Sequence, residues 1–206
     1  MSVIILTGKS CVGKDSVRGE LEKLGYENIV SYTSRDMRVG EREGREYHFV
    51  DKDTFLNLIK NKEMIEYRTY NTLYNNEPDT WYYGLKKDKL DKDKDYIVIL
   101  DLKGVESFIN YYGKENCFVV YMCCMLDERK RRAIERGSFD NTEWERRVIA
   151  DEKDFNSYDI NRLTEFTMVN MSDDKNDIPK IAKILNRVYE SRMKGIKHEN
   201  KRRNSK

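Results

Sequence analysis

Gly8-Lys9-Ser10-Cys11-Val12-Gly13-Lys14 reads G-x-x-x-x-G-K, and Asp15 and Ser16 follow. Glycines at that spacing let successive backbone N–H groups turn toward one point, and the positive end of a following helix adds attraction for an anion. A lysine closing the loop reaches the β- and γ-oxygens of a triphosphate and follows the charge as a phosphoryl group moves. A glycine turn with an incidental lysine would need no special neighbours. Here the loop follows the apolar run Val3–Leu6 and opens a helical pattern with Val17, Leu21 and Leu24 on one face, the context the motif requires. Asp15 stands where such loops usually carry the Ser or Thr that helps to hold Mg2+. Two readings stay open: Asp15 faces Mg2+ through water while Ser16 meets the α-phosphate, or its carboxylate only stabilises the first helical turn.

A second constellation lies in residues 31–49, SYTSRDMRVGEREGREYHF, where Ser31, Arg35 and Arg38 are spaced four and three apart, ahead of Gly40-Glu41 and Tyr47. Guanidinium forks bind two phosphate oxygens each, and a phenol adds another donor. Alone, this would be a charged surface loop; behind a triphosphate loop it becomes a candidate second phosphate site.

The elements that must position these groups alternate. Short β-rich runs are expected at Val3–Thr7, Ile29–Ser31, Glu63–Tyr70, Tyr96–Leu100, Cys117–Met122 and Phe166–Asn170. Between them, helical stripes begin at Lys14, behind a cap at Asp53, at about 86–92, at Val105–Tyr112, at about 127–136 and 142–156, and at Ile178–Val188. Residues 33–46 and the turn-rich 71–80 read as exposed loops. Alternating strands and helices imply a parallel sheet covered on both faces, with ligands beyond the carboxyl ends of its strands. That rule brings the glycine loop, Asp101 and Asn170 to one edge.

Composition restricts the partners. Of 206 residues, 37% are charged and 38% hydrophobic, which describes a heavily solvated globule of one compact domain. The last 15 residues hold seven of the 39 basic and one of the 37 acidic side chains, so the remaining body is slightly acidic and no specific nucleic-acid partner is expected. The basic terminus is expected to fray. No apolar run is long enough to cross a membrane. Cys11, Cys117, Cys123 and Cys124 form no CxxC pair and share no metal-ligand spacing with His48 or His198, so a cytoplasmic location with reduced thiols is the expectation.

In this order, the loop, Ser31…Arg35…Arg38…Gly40-Glu41, Tyr47-His48-Phe49, Met64-Ile65-Glu66, Tyr83-Gly84 and the strand ending at Asp101 resemble the guanylate kinase family from about Val3 to Tyr189. The resemblance implies a P-loop α/β core (1–30, 85–131 and 151–190), a monophosphate-binding lobe (31–84) and a helical lid (132–150), followed by the tail 191–206. It implies that Gly8 to Ser16, with Asn170, bind MgATP, and that Arg35, Arg38, Glu41, Tyr47 and Tyr83 surround the phosphate of GMP. Ser31, Glu66 and Asp101 would meet the guanine, with Asp101 also free to cap a helix. Lys14, Arg35, Arg132, Arg136 and Arg147 would neutralise charge on the transferring phosphoryl, whereas Arg129, Lys130, Arg131 and Arg146 read as solvated. An ionised carboxylate suits guanine because N1–H and the 2-amino group are adjacent donors, while adenine offers a lone pair at N1.

Departures from the family pattern are Cys11 for a loop glycine, Val39, Ile99 and Leu85, the last where the family has a small hydroxyl residue that reads guanine O6. They leave room for dGMP or another monophosphate as acceptor, and a non-catalytic binding module is the rival from another class. Lys14→Met is expected to abolish ADP formation while leaving the circular dichroism spectrum of the folded chain unchanged.

Overall fold

The computed structural model describes residues 2–38, 40–74, 77–135, 137, 139–156, 160–171 and 177–203. Its centre is β1 (Ser2–Thr7), whose six residues are all buried. β1 pairs in parallel with β7 (Asp95–Ile99) on one side and β8 (Cys117–Cys123) on the other, with Ile5 aligned to Val98 and Val119. The short β2 (Glu27–Asn28) and β9 (Phe166–Val169) complete a five-stranded sheet in the order β2-β7-β1-β8-β9. Strand alternation divides β1 between two cores. Ile4 and Leu6 pack with Val17, Leu21, Leu185 and Tyr189 of α1 (Lys14–Lys23) and α7 (Ile178–Arg203). Val3 and Ile5 pack on the other face with Val105 and Phe108 of α3 (Leu102–Tyr112), Phe155 of α5 (Asn141–Asn156) and Leu163 of α6 (Ile160–Leu163). The expected doubly covered parallel sheet is therefore present, with α4 (Leu126–Glu135) following β8.

A second sheet of four strands, β4-β3-β6-β5, was not legible as such. It joins β3 (Tyr32–Thr33), β4 (His48–Phe49), β5 (Met64–Tyr74) and β6 (Glu77–Lys86). Of the expected loop 71–80, residues 71–74 and 77–80 are strand, the antiparallel register continuing from Glu66↔Leu85 to Tyr74↔Glu77, while 75 and 76 lie outside the described residues. Tyr70 and Trp81 stack across that ladder with centroids 6.2 Å apart, the aromatic cross-strand pairing that favours a hairpin.

Four other expectations shift. The strand at Ile29–Ser31 moves to Glu27–Asn28, because after the bond from Ile29 N to Ile97 O (2.9 Å) the chain leaves the parallel sheet for β3. Asp51 rather than Asp53 caps α2 (Lys52–Lys60), its carboxylate accepting from Thr54 N at 2.6 Å. The helix expected at 86–92 is absent: β6 runs to Lys86, and the charged stretch beyond it offers only Leu90 as an apolar anchor. The basic terminus is helical to Arg203, consistent with lysine and arginine being good helix formers that complement the negative end of the helix dipole.

Leu85 is 1% exposed and joins the core between β1, β7 and α3. Leu85→Ala is expected to lower the unfolding free energy by about 2–5 kcal/mol, measured by urea denaturation.

Candidate active site

The glycine loop leaves β1 and enters α1 with two glycines in positions that disfavour any side chain. Gly13 caps α1 with φ 98°, and a Cβ there would lie 2.6 Å from Asn170 Nδ2. A Cβ on Gly8 would lie 2.2 Å from the Met122 carbonyl oxygen. Cys11, where the resemblance expects glycine, keeps the left-handed backbone at φ 62°, a conformation that costs a non-glycine residue about 1–2 kcal/mol. Lys14 curls back over the loop, its Nζ donating to Gly8 O (2.6 Å) and Lys9 O (3.0 Å). Burial pushes the Lys14 ammonium below the usual lysine range, while Asp15 and Asp151 pull it back.

Side chains from distant elements brace this loop. Asn170 is fully buried and donates from Nδ2 to Val12 O at 2.9 Å, so it stands behind the loop rather than facing the cleft. Its Oδ1 has no hydrogen-bond partner among the described residues. Arg132 reaches Val12 O (3.3 Å) and Asn170 O (3.2 Å) while its Nε is held by Glu128 at 2.7 Å. Lys9 pairs with Glu152 at 2.5 Å. Ser10 donates its N–H (2.9 Å) and hydroxyl (3.1 Å) to the two carboxylate oxygens of Asp151. Arg129 then links both partners, donating to Ser10 O at 2.7 Å and pairing with Asp151. Far from being solvated, Arg129 is 3% exposed and its guanidinium lies 5.8 Å from the centre of the Trp144 ring. The sequence signal was an arginine at the i−3 position to Arg132 on a basic helix, which is indistinguishable from a solvated one without its partners.

The other lid arginines divide. Arg147 is held by Glu143 at 2.8 Å and borders a small cavity with Cys11, Phe139 and Trp144. The same Glu143, bonded to Arg146 and Arg147, has its carboxyl pulled down to about 2. Arg146 is exposed, as expected, but its guanidinium lies 4.6 Å from the centre of the Tyr70 ring, so α5 touches the β5–β6 hairpin. Arg131 is not simply solvated, being paired with Glu128 and Glu135, whereas Lys130 is exposed. Arg136 lies outside the described residues.

Beside the loop, a cavity of about 540 Å³ is bordered by Asp15, Arg18, Ser31, Arg35, Arg38, Glu41 and Tyr47. Arg35, Arg38, Glu41 and Tyr47, expected around the acceptor phosphate, therefore share this cavity, whereas Tyr83 lines the adjoining one. Arg35 is 4% exposed, and Glu41 receives both its forks (2.8 and 2.6 Å) as well as Arg38 N (2.8 Å). Glu41 is thus the carboxylate that fixes the arginine, not a direct contact for an anion. The Arg35 guanidinium lies over Tyr47 and Phe49, at 5.4 and 5.6 Å from the ring centres. Arg18 was missed; it lies four residues beyond Lys14 on the same helical face and 3.6 Å from Asp15.

A second cavity of about 680 Å³ adjoins the first through the shared Ser31, Tyr47 and Ile99, and adds Glu66, Arg68, Tyr83, Gly84 and Asp101. Burial raises the carboxyl of Glu66 to about 7, Arg68 pulling it down and Asp101 pushing it up. Asp101 caps α3 by accepting from Gly104 N at 2.6 Å and also takes two bonds from Arg68, at 3.1 and 2.9 Å. Arg68 was not singled out by sequence, because nothing but register places it beside both carboxylates.

A glycine loop between a parallel strand and a helix, with two joined cavities lined by arginines and carboxylates beside it, defines a P-loop kinase architecture. The family model for guanylate kinase matches residues 1–192. A guanylate kinase of Clostridium tetani is 33% identical over 190 residues, covering 89% of this chain and 84% of its own. One from Mycoplasma mobile is 34% identical over 148 residues, covering 66% and 70% respectively. The crystal structure of guanylate kinase from Anaplasma phagocytophilum shares the fold, with a TM-score of 0.60 at 23% identity over 93% of this chain and 86% of that one. The chain belongs to the guanylate kinase family.

Asp151→Ala would leave the Arg129 guanidinium buried without its counter-charge. It is expected to lower stability by about 3–5 kcal/mol in thermal or urea unfolding, and Arg129→Leu combined with Asp151→Ala should recover most of that loss.

Proposed function

We propose that the chain transfers the γ-phosphoryl of ATP to the phosphate of GMP, giving ADP and GDP. The observation that carries this reading is the pair of adjoining cavities: an arginine-lined one against the phosphate loop, and a carboxylate-bearing one beyond it. The acceptor phosphate already carries negative charge, so no side-chain nucleophile or general base is needed. Alignment, charge neutralisation and exclusion of water do the work.

The loop amides and Lys14 take the donor phosphates. Lys14 would exchange its two loop carbonyls for phosphate oxygens, a better partner for an ammonium of lowered basicity. Arg35 and Arg38, with the Tyr47 and Tyr83 hydroxyls, take the acceptor phosphate, and Glu41 keeps Arg35 from relaxing away. Arg132 and Arg147 approach from the lid side, with Arg136 assigned by resemblance. Residues 31–84 and 132–150 act as the lobes that close on the core. Among the described residues no group of three or more His, Cys, Asp or Glu side chains could hold a metal ion. An exposed single carboxylate, Asp15, bordering the cavity fits Mg2+ carried in by the triphosphate, since that ion is commonly held by phosphates, water and one or two carboxylates. When bound, it would neutralise charge on the β- and γ-phosphates. A binding module with no transfer activity would not need Lys14 held inside an intact loop.

The assay is ADP release with GMP, dGMP, AMP, CMP, UMP and dTMP offered in turn. Turnover confined to the guanine nucleotides supports the reading, and turnover with a pyrimidine alone rejects it. Glu66 must be ionised to accept from N1–H and the 2-amino group, and protonation would place a donor against donors. With its carboxyl near 7, the KM for GMP should rise about tenfold from pH 8 to pH 6. GMP's own phosphate also titrates near 6. The part due to Glu66 is therefore the part missing in Glu66→Gln, read in parallel KM profiles with ATP saturating.

A further inference from the structure

Glu66 and Arg68 are two residues apart on β5 and so share one face of the hairpin, the face that borders the second cavity. The Glu66 side chain is only 10% exposed, and Arg68 Nη1 lies 2.9 Å from its Oε2. That contact is ionic only, because Glu66 Oε2 accepts no hydrogen bond among the described residues. Arg68 is itself held in place: Nε and Nη2 bond the two oxygens of Asp101 at 3.1 and 2.9 Å, and Nη1 donates to Tyr67 O at 2.9 Å. Asp101 is in turn fixed as the cap of α3. Guanidinium and carboxylate thus stand side by side, oriented from behind, with a buried acceptor oxygen lacking a hydrogen bond.

The Watson–Crick edge of guanine reads acceptor, donor, donor: O6, N1–H and the 2-amino group. The complement is one donor followed by two acceptors. We infer that Arg68 and Glu66 together form that complement, with an Arg68 N–H donating to guanine O6 and the Glu66 oxygens accepting from N1–H and the 2-amino group. This rests on GMP being the acceptor. Leu85, the cross-strand partner of Glu66, brings no donor and is sealed in the core, so the O6 contact falls to the neighbouring residue of the same strand face. Asp101 then serves as the positioning residue for Arg68. Adenine presents a donor and then a lone pair to this row, and both positions clash in sign. Xanthine keeps O6 and N1–H but replaces the 2-amino donor by an oxygen, which faces a carboxylate oxygen.

The test compares GMP with two analogues, IMP, which keeps O6 and lacks the 2-amino group, and the 6-thio analogue of GMP, whose sulfur is a weak acceptor. In the native enzyme, GMP should be preferred to the 6-thio analogue about tenfold in kcat/KM. In Arg68→Met that preference should vanish and the KM for GMP should rise about tenfold to hundredfold, with the KM for ATP unmoved and the GMP-to-IMP ratio kept. Glu66→Gln should do the reverse, collapsing the GMP-to-IMP ratio and sparing the preference for oxygen over sulfur. Arg68→Lys, which keeps the charge between the two carboxylates, guards against a folding defect and should restore only part of the GMP affinity. The inference is overturned if Arg68→Met binds GMP as well as or better than the native enzyme, or if the oxygen preference survives in a folded Arg68→Met. A native enzyme inert toward GMP yet active on another monophosphate overturns the acceptor reading and this inference with it.

Discussion

Backbone amides aimed at a single point repel one another's partial charges, and a loop of seven residues has no core of its own to hold that arrangement. Here the arrangement is imposed from outside. Asn170 at the end of β9 holds Val12, Arg132 from α4 holds both, and Asp151 from α5 engages Ser10 by two hydrogen bonds with Arg129 behind it. Every one of these partners lies more than a hundred residues away in sequence, so the geometry of the loop is a property of the folded sheet and its flanking helices. Close approach at Gly8 and Gly13 is the other half of the same constraint, since a methyl group would collide with the Met122 carbonyl of β8 at the first and with the bracing Asn170 at the second.

The anionic side of the site follows a related rule. Four arginines around the site have a carboxylate set against them: Asp15 for Arg18, Glu41 for Arg35, Asp101 and Glu66 for Arg68, Glu143 for Arg147. Pairing lowers the cost of burying a guanidinium and restricts its rotamers before a nucleotide arrives. It also means that substrate phosphate must compete with protein carboxylates, which favours a dianion over weaker acceptors.

Much of this was legible in the sequence where a local signal existed. The strand-loop-helix around Lys14 needs only periodicity and glycine spacing, and Arg35, Arg38 and Tyr47 lie within one stretch of chain. Where partners come from afar, the sequence was silent. Arg129 looked like any cation on a basic helix until Asp151 and Trp144 were placed beside it. Arg68 gained meaning only from the register of β5 and the cap at Asp101. Residues 71–74 and 77–80 include Asn71 and Pro78, which suggest a turn, yet stacked aromatics beside them and an extended ladder decide for strand. The charged segment after β6 shows the opposite error, a helical composition with no apolar stripe to dock. Asp53 lost to Asp51 by two residues, within the uncertainty with which helix starts can be read.

The chain contains two tryptophans, and the fold puts one in each of the segments assigned to closure. Trp81 stacks on Tyr70 in the hairpin, and Trp144 lies beside Arg129 in the first turn of α5. Removing either indole leaves a single tryptophan, selectively excited at the red edge of the tyrosine band, in the other segment. The proposed closure on donor and acceptor is therefore open to stopped-flow fluorescence without attaching a dye.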